Sequence, residues 1–150
     1  MTKVIKPIIF LLLLVGTTST MNSQTKAHKD SLNSIVATYY KLNLEVFKAN
    51  SSVKDIDKIF ELFTDNFTYI HPKYGGLYTR EVLYNGYKRN QKKGGYDGNV
   101  TDFKIINKMV GLNAVVVEKR FITKKDGEGA SQMTLFEFKN GKISKIFEYW

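Results

Sequence analysis

The stretch from Asp55 to Pro72, DIDKIFELFTDNFTYIHP, changes its hydrophobic period midway, and that change limits the possible folds more than any other feature of the chain. Ile56, Ile59, Phe60 and Phe63 recur at i, i+3, i+4 and i+7, the spacing of a helix with one apolar face. Beyond Asp65-Asn66 the spacing becomes two. Phe67, Tyr69 and His71 alternate with Thr68 and Ile70 until Pro72, which has no amide hydrogen to offer a strand ladder. A helix thus runs almost directly into a strand that puts an aromatic ring, a phenol and an imidazole on one face. Ser52, with Asp55 three residues on, marks the start of that helix as a capping box.

The rest of the chain extends this pattern. Ser31 to about Ala49 reads as an earlier amphipathic helix, with Ile35, Tyr39, Leu42 and Val46 on its stripe and Val36, Tyr40 and Phe47 flanking it. Residues 25–30 read as a polar lead-in, with His28 an exposed histidine without a task. After a loop at Lys73–Gly76, Thr79 can cap a third helix carrying Val82, Leu83 and Tyr87. Four strand-like runs follow: Asp102–Val110, Ala114–Thr123, Gln132–Lys139 and Lys142–Tyr149. Asn140-Gly141 joins the last two as a type I′ hairpin turn, which needs positive φ at both central residues. Helices followed by an antiparallel meander define an α+β domain.

The front of the 150-residue chain is of another character. Lys3 and Lys6 precede the uncharged apolar run Ile8–Val15 and a small polar segment, Thr17–Thr20, the order of a secretory signal peptide. That run falls well short of the ~20 residues a membrane-spanning helix needs. The expectation is a leader over residues 1–24, cleaved near 20–24, and one exported domain over 25–150 with no membrane anchor after leader removal. The chain has no cysteine, so disulfides and a lipidated cysteine are excluded. Without the leader's two lysines, 21 basic residues stand against 14 acidic ones, a charge of +7. The lysines are scattered apart from Lys88-Arg89 with Lys92-Lys93, the solvated end of a helix, so nucleic-acid binding is not expected.

A strict two-residue turn at Asn140-Gly141 would pair Glu137 with Ser144, Leu135 with Ile146 and Met133 with Glu148. One sheet face would then carry Met133, Leu135, Glu137, Ser144, Ile146, Glu148 and Trp150. The other would carry Phe136, Phe138, Ile143, Phe147 and Tyr149. Both are apolar enough to be covered, one by the helices and one by a second copy of the chain, which predicts a homodimer through the sheet. Two histidines and no cysteine fall short of a zinc site, so no metal is expected. Gly75-Gly76 and Gly94-Gly95 lack the context of a phosphate-binding loop, no G-x-S-x-G elbow is present, and no cofactor is expected.

The helix-to-strand segment Asp55–Pro72 and the ending Asn140-Gly141-Lys142-Ile143 through Glu148-Tyr149-Trp150 resemble the NTF2-like superfamily, in its SnoaL-like and ketosteroid isomerase-like branches. The resemblance covers nearly all of residues 25–150. It implies a cone in which three N-terminal helices pack on a curved antiparallel sheet around an apolar, aromatic-lined pocket. It also implies that Ile146, Glu148 and Trp150 point into that pocket. His71 matches the place of the isomerase's base, and Tyr69 with His71 the place of a Tyr-x-Asn pair in the epoxide-hydrolase branch. Lys119 and Phe121 stand near the places of that branch's arginine and second aspartate. An imidazole near a carboxylate, with a phenol beside it, forms an acid–base set, so His71, Glu148 and Tyr69 are the candidate catalytic residues. Phe63, Phe67, Tyr39, Leu135, Ile146 and Trp150 are the candidate ligand-binding residues. Three functions stay open: a domain binding a small apolar or aromatic molecule, a cofactor-free isomerase, cyclase or hydrolase, and a protein-interaction module using the outer sheet face.

Overall fold

The first helix of the computed structural model, which describes residues 25–150, is longer at its start than its apolar stripe suggested. Helix α1 spans Lys26–Val46, with Thr25 as its N-cap accepting a hydrogen bond from the His28 amide at 3.2 Å. The polar lead-in is therefore helical. His28 is not idle either: its Nε2 lies 2.7 Å from the carbonyl oxygen of Leu112 and ties the first turn of α1 to a distant loop. Leu32, Val36, Tyr39, Tyr40, Asn43 and Val46 form the buried stripe.

Helix α2 spans Val53–Glu61 and starts at the expected box, with the Asp55 carboxylate accepting from the amide and hydroxyl of Ser52 at 3.0 and 2.9 Å. It stops sooner than its spacing implied. Phe63 is already the first residue of strand β1 (Phe63–His71), because the Leu62 carbonyl accepts from the Ile143 amide at 2.9 Å and starts sheet pairing there. After a short 3₁₀ turn at Pro72–Tyr74, Gly75 and Gly76 take φ of 107° and 91° and reverse the chain into β2 (Gly76–Thr79), an edge strand where a loop was expected. Thr79 caps α3 (Arg80–Lys92), accepting from the Val82 amide at 3.3 Å. The remaining strands are β3 (Val100–Val110), β4 (Ala114–Thr123), the two-residue β5 (Gly127–Glu128), β6 (Gln132–Lys139) and β7 (Lys142–Tyr149).

The sheet order is β2-β1-β7-β6-β4-β3, with β5 against β4. Two expectations need correction. The sheet is mixed, since β1 runs parallel to β7 while every other pairing is antiparallel. A parallel neighbour needs a long crossover, which α3 and the whole meander supply here. The helices are not all N-terminal, since α3 lies between β2 and β3.

The β6–β7 register also departs from the strict turn. Asn140 and Gly141 take the positive φ values, 53° and 75°, that the Asn-Gly signal demands, and Lys139 pairs with Lys142. A bulge then follows at Ser144 and Lys145, after which Phe136 pairs with Ile146, Leu135 with Phe147 and Thr134 with Glu148. The extra residue moves β6 by one position against β7. Phe136, Phe138 and Ile143 turn inward and are buried, while Met133, Leu135 and Glu137 turn outward. The core packs α1 and α2 against the inner face through ring contacts such as Tyr39–Phe136 at 5.2 Å and Phe60–Phe63 at 5.1 Å.

Candidate functional site

Strand β4 alternates Val115, Val117, Lys119 and Phe121 on the inner face, so a lysine follows two valines into the core. Lys119 is 2% exposed, so its ammonium needs partners within the fold. It finds its partners on the next two strands. Its Nζ donates to Thr134 Oγ1 at 2.6 Å and to Glu148 Oε2 at 3.2 Å. Thr134 donates in turn to the same carboxylate oxygen at 2.7 Å, and Trp150 Nε1 donates to it at 2.9 Å. Among the described residues, all the hydrogen bonds to this carboxylate fall on Oε2. Thr134 and Glu148 pair directly across β6 and β7, which is possible only because of the bulge at Ser144. Burial pulls the Lys119 ammonium below the ordinary lysine range, and the adjoining Glu148 carboxylate opposes that pull.

Lys119, Glu148 and Trp150 of this network line a cavity of about 190 Å³. Tyr39, Tyr40, Asn43 and Phe47 of α1, Tyr69 of β1 and Tyr87 of α3 line it, with Phe103, Phe121 and Trp150 completing the aromatic surround. Tyr87 Oη donates to Asn43 Oδ1 at 3.0 Å, and Asn43 Nδ2 donates to the Tyr39 carbonyl at 2.9 Å, so the buried amide is held from both ends. Tyr39, Tyr40, Tyr69 and Tyr87 all have pKa values raised above the ordinary tyrosine value, first by burial and further by the negative field of Glu148. They remain neutral phenols, able to donate. The Tyr40 hydroxyl lies toward Thr134 but completes no well-formed hydrogen bond. At ~30 Å³ per water the cavity has room for about six waters, or one small organic molecule.

The structure separates the residues named from sequence. Tyr39, Tyr69, Glu148 and Trp150 line the cavity together. Phe63, Phe67 and Ile146 lie beneath it in the core at 2%, 1% and 0% exposure, the two phenyl rings stacked at 3.9 Å. Leu135 is on the outer face, opposite Phe147, as the bulge requires. The expected His71–Glu148 pair does not form. His71 is 2% exposed with neither ring nitrogen hydrogen-bonded, and it lies 4.4 Å from both the Tyr74 and Trp150 ring centroids. Its pKa is lowered because burial outweighs the attraction of Glu148, the reverse of the expected rise. Lys119 has taken the carboxylate that the imidazole was expected to hold.

Sequence reasoning noticed Lys119 only through a family position and missed Thr134, Asn43 and Tyr87. The signal for Lys119 was present in the alternation Val115-x-Val117-x-Lys119-x-Phe121. A larger depression of about 510 Å³ lies between Asp65-Asn66 and the Asn140 turn, but it is an open groove of polar side chains that shares no lining residue with the cavity. Among the described residues no cluster of three or more His, Asp or Glu side chains could hold a metal, and no helix is long and apolar enough to cross a membrane.

No protein-family model and no curated protein matches this sequence. Solved structures do match it in shape. An NTF2-like protein from Anabaena variabilis aligns with a TM-score of 0.58 at 13% identity, over 85% of this chain and 94% of that one. A ketosteroid isomerase candidate from Kribbella flavida gives 0.58 at 11% identity, over 81% and 78%. A protein of ketosteroid isomerase-like fold from Catenulispora acidiphila, solved with trimethylamine, gives 0.53 at 16% identity, over 77% and 84%. At these identities the likeness concerns architecture. The chain has the NTF2-like fold, an α+β cone with a pocket on the inner face of its sheet.

Proposed function

We propose that this domain binds a small, neutral, largely aromatic or apolar molecule in the inner cavity, with an oxygen atom of the ligand accepting from Lys119. The observation that carries the reading is the combination of an aromatic surround with the buried Lys119–Glu148 pair in its lining. Rings supply nondirectional contact, and Lys119, with three N–H groups and two described partners, keeps one donor for a ligand. The trimethylamine held by the Catenulispora protein raises an amine ligand as the competing case. Against it, Lys119 Nζ already stands 5.9 Å from the Tyr40 ring centroid and 5.6 Å from that of Phe121, so the chain's own cation fills the place an amine would take. An isomerase, cyclase or hydrolase built on His71 has less support, because the imidazole faces Trp150 and Tyr74 rather than Glu148.

Benzyl alcohol and trimethylammonium serve as opposed probes. Titrated against isotope-labelled protein, benzyl alcohol should shift the resonances of Tyr39, Tyr69 and Trp150, and trimethylammonium should leave them in place. The reverse pattern would sink the neutral-ligand reading.

We further propose export of the mature domain, with the leader, which lies outside the described residues, removed near 20–24. Intact mass of protein from its native host showing Met1 retained would refute this. A second copy of the chain is the proposed cover for the outer face. There Leu77, Ile70, Phe147, Leu135, Val116 and Met109 pair in register across all six long strands, with Leu77 at 61% and Met109 at 74% exposure. This row replaces the expected one, since Phe136 and Ile143 face inward. Acidic Glu118 and Glu137 and basic Arg120 and Lys145 share the face with it, so two copies can meet without a net like-charge clash. Phe147→Glu should convert a sedimenting dimer to monomer, and a wild-type monomer at high micromolar concentration would remove the proposal.

A further inference from the structure

Lys119 is buried and is also one of the residues that line a cavity. It lines the aromatic cavity while Thr134 and Glu148 hold its Nζ at 2.6 and 3.2 Å. A proton acceptor and a hydroxyl therefore adjoin the amine, and neutral phenols stand within the same cavity on three other elements.

We propose that Lys119 is a carbonyl-capturing amine, forming an imine with a small aldehyde or ketone that enters the cavity. The inference rests on the binding reading, because the oxygen that Lys119 would recognise in a neutral ligand is here a carbonyl oxygen. The ammonium first passes a proton to Glu148, and the free amine attacks the carbonyl carbon to form a C–N bond. Glu148 returns the proton to the oxygen, giving a carbinolamine. The C–O bond then breaks, and the hydroxyl leaves as water with a second proton drawn from nitrogen through Glu148. Ammonium and carbonyl thus become a protonated iminium and water, with no proton gained or lost overall. The charge is conserved as well, so the iminium still faces a carboxylate, and the site never holds an uncompensated Glu148 in its end state.

Burial assists the first step. Removal of the ammonium from water makes the neutral amine easier to reach than on an exposed lysine, in the direction already noted for this group. Aromatic rings of α1, β1 and α3 line the cavity beside the amine, and an apolar lining slows hydrolysis of an imine by limiting its contact with water. The cavity volume of about 190 Å³ restricts the partner to a small carbonyl compound, of the size of benzaldehyde or below.

The folded protein is incubated with benzaldehyde and sodium cyanoborohydride near neutral pH. The reductant delivers hydride to the iminium carbon and fixes the adduct as a secondary amine, which peptide mapping then locates. The expected result is alkylation of Lys119 ahead of the exposed Lys108 and Lys142, suppression by excess benzyl alcohol, and loss of that adduct alone in Lys119→Arg. Glu148→Gln should slow capture at Lys119 roughly a hundredfold, the low end of what a positioned proton acceptor contributes. Adducts spread over exposed lysines with Lys119 untouched, while benzyl alcohol still shifts Tyr69 and Trp150, would overturn the imine inference and leave the binding reading intact. Neither binding nor capture would overturn both.

Discussion

Trp150 touches two buried polar groups with opposite fates. On one side its indole donates to Glu148, which also receives Lys119 and Thr134, so four side chains close one network. On the other side its ring meets His71, whose two nitrogens complete no well-formed hydrogen bond. Both sites are about equally hidden from water. The difference is in partner supply. Lys119, Thr134 and Glu148 come from three strands adjacent in the sheet, so cross-strand pairing brings donor and acceptor together. His71 sits at the end of β1, surrounded by rings that offer contact but no hydrogen bond. Burial creates the demand for a partner, and only strand register decides whether one arrives.

Removing one member of the closed network is the harshest test of that contrast. Lys119→Met leaves the Glu148 carboxylate buried without its cation and should cost about 3–5 kcal/mol in chemical denaturation. Adding Glu148→Leu to that variant should recover most of the loss, since an apolar replacement of the whole pair leaves no charge stranded. If the double variant is as unstable as the single one, the pair is not the unit described here.

A smaller effect is expected one bond away. Thr134→Val keeps the shape of the side chain but removes the hydroxyl that accepts from Lys119 and donates to Glu148, and a loss of about 2 kcal/mol is expected for a neutral hydroxyl bonded to charged groups. A change below ~0.5 kcal/mol in urea denaturation would mean that the ion pair stands without it.

The smallest change should come from His71. His71→Phe replaces an unpartnered imidazole by a ring of similar size among rings, so stability at pH 7 should change by no more than ~1 kcal/mol in either direction. The pH dependence should change more clearly. In the unfolded chain this imidazole titrates near 6.5, and in the fold its pKa is lower. Between those two values the unfolded chain binds more protons, so His71 makes stability fall as the pH drops below about 6.5, until the folded imidazole is itself protonated. His71→Phe should flatten that part of a stability–pH curve. An unchanged acid limb would show that His71 is not its source.

Several elements were legible from the chain itself. The capping box at Ser52 and Asp55, the Asn140-Gly141 turn and the limits of β4, β6 and β7 are local, depending on residues within a few positions of one another. Of the ending that the family resemblance placed in the pocket, Glu148 and Trp150 line the cavity and Ile146 lies in the core. The candidate site was legible only in part. Glu148, Tyr69, Tyr39 and Trp150 share the cavity, whereas Lys119 stood out only by its family position, because a lysine on a strand is most often at the surface.

By itself the sequence determined the helices, the meander and the type I′ turn, because hydrophobic period, capping and φ preference are properties of neighbouring residues. The tertiary structure alone decided three things. Pairing of Leu62 with Ile143 ended α2 early and began β1 at Phe63. The bulge at Ser144 and Lys145 shifted β6 by one residue, exchanging Leu135 for Phe136 on the inner face and setting Thr134 opposite Glu148. That register then gave the carboxylate to Lys119 rather than to His71. The first and third are contacts between residues far apart in the chain, and the second is a slip within one hairpin that the packed core selects. With side chains alternating at a period of two, one residue of slip reverses a face, and no local pattern in either strand records which register the packed core will select.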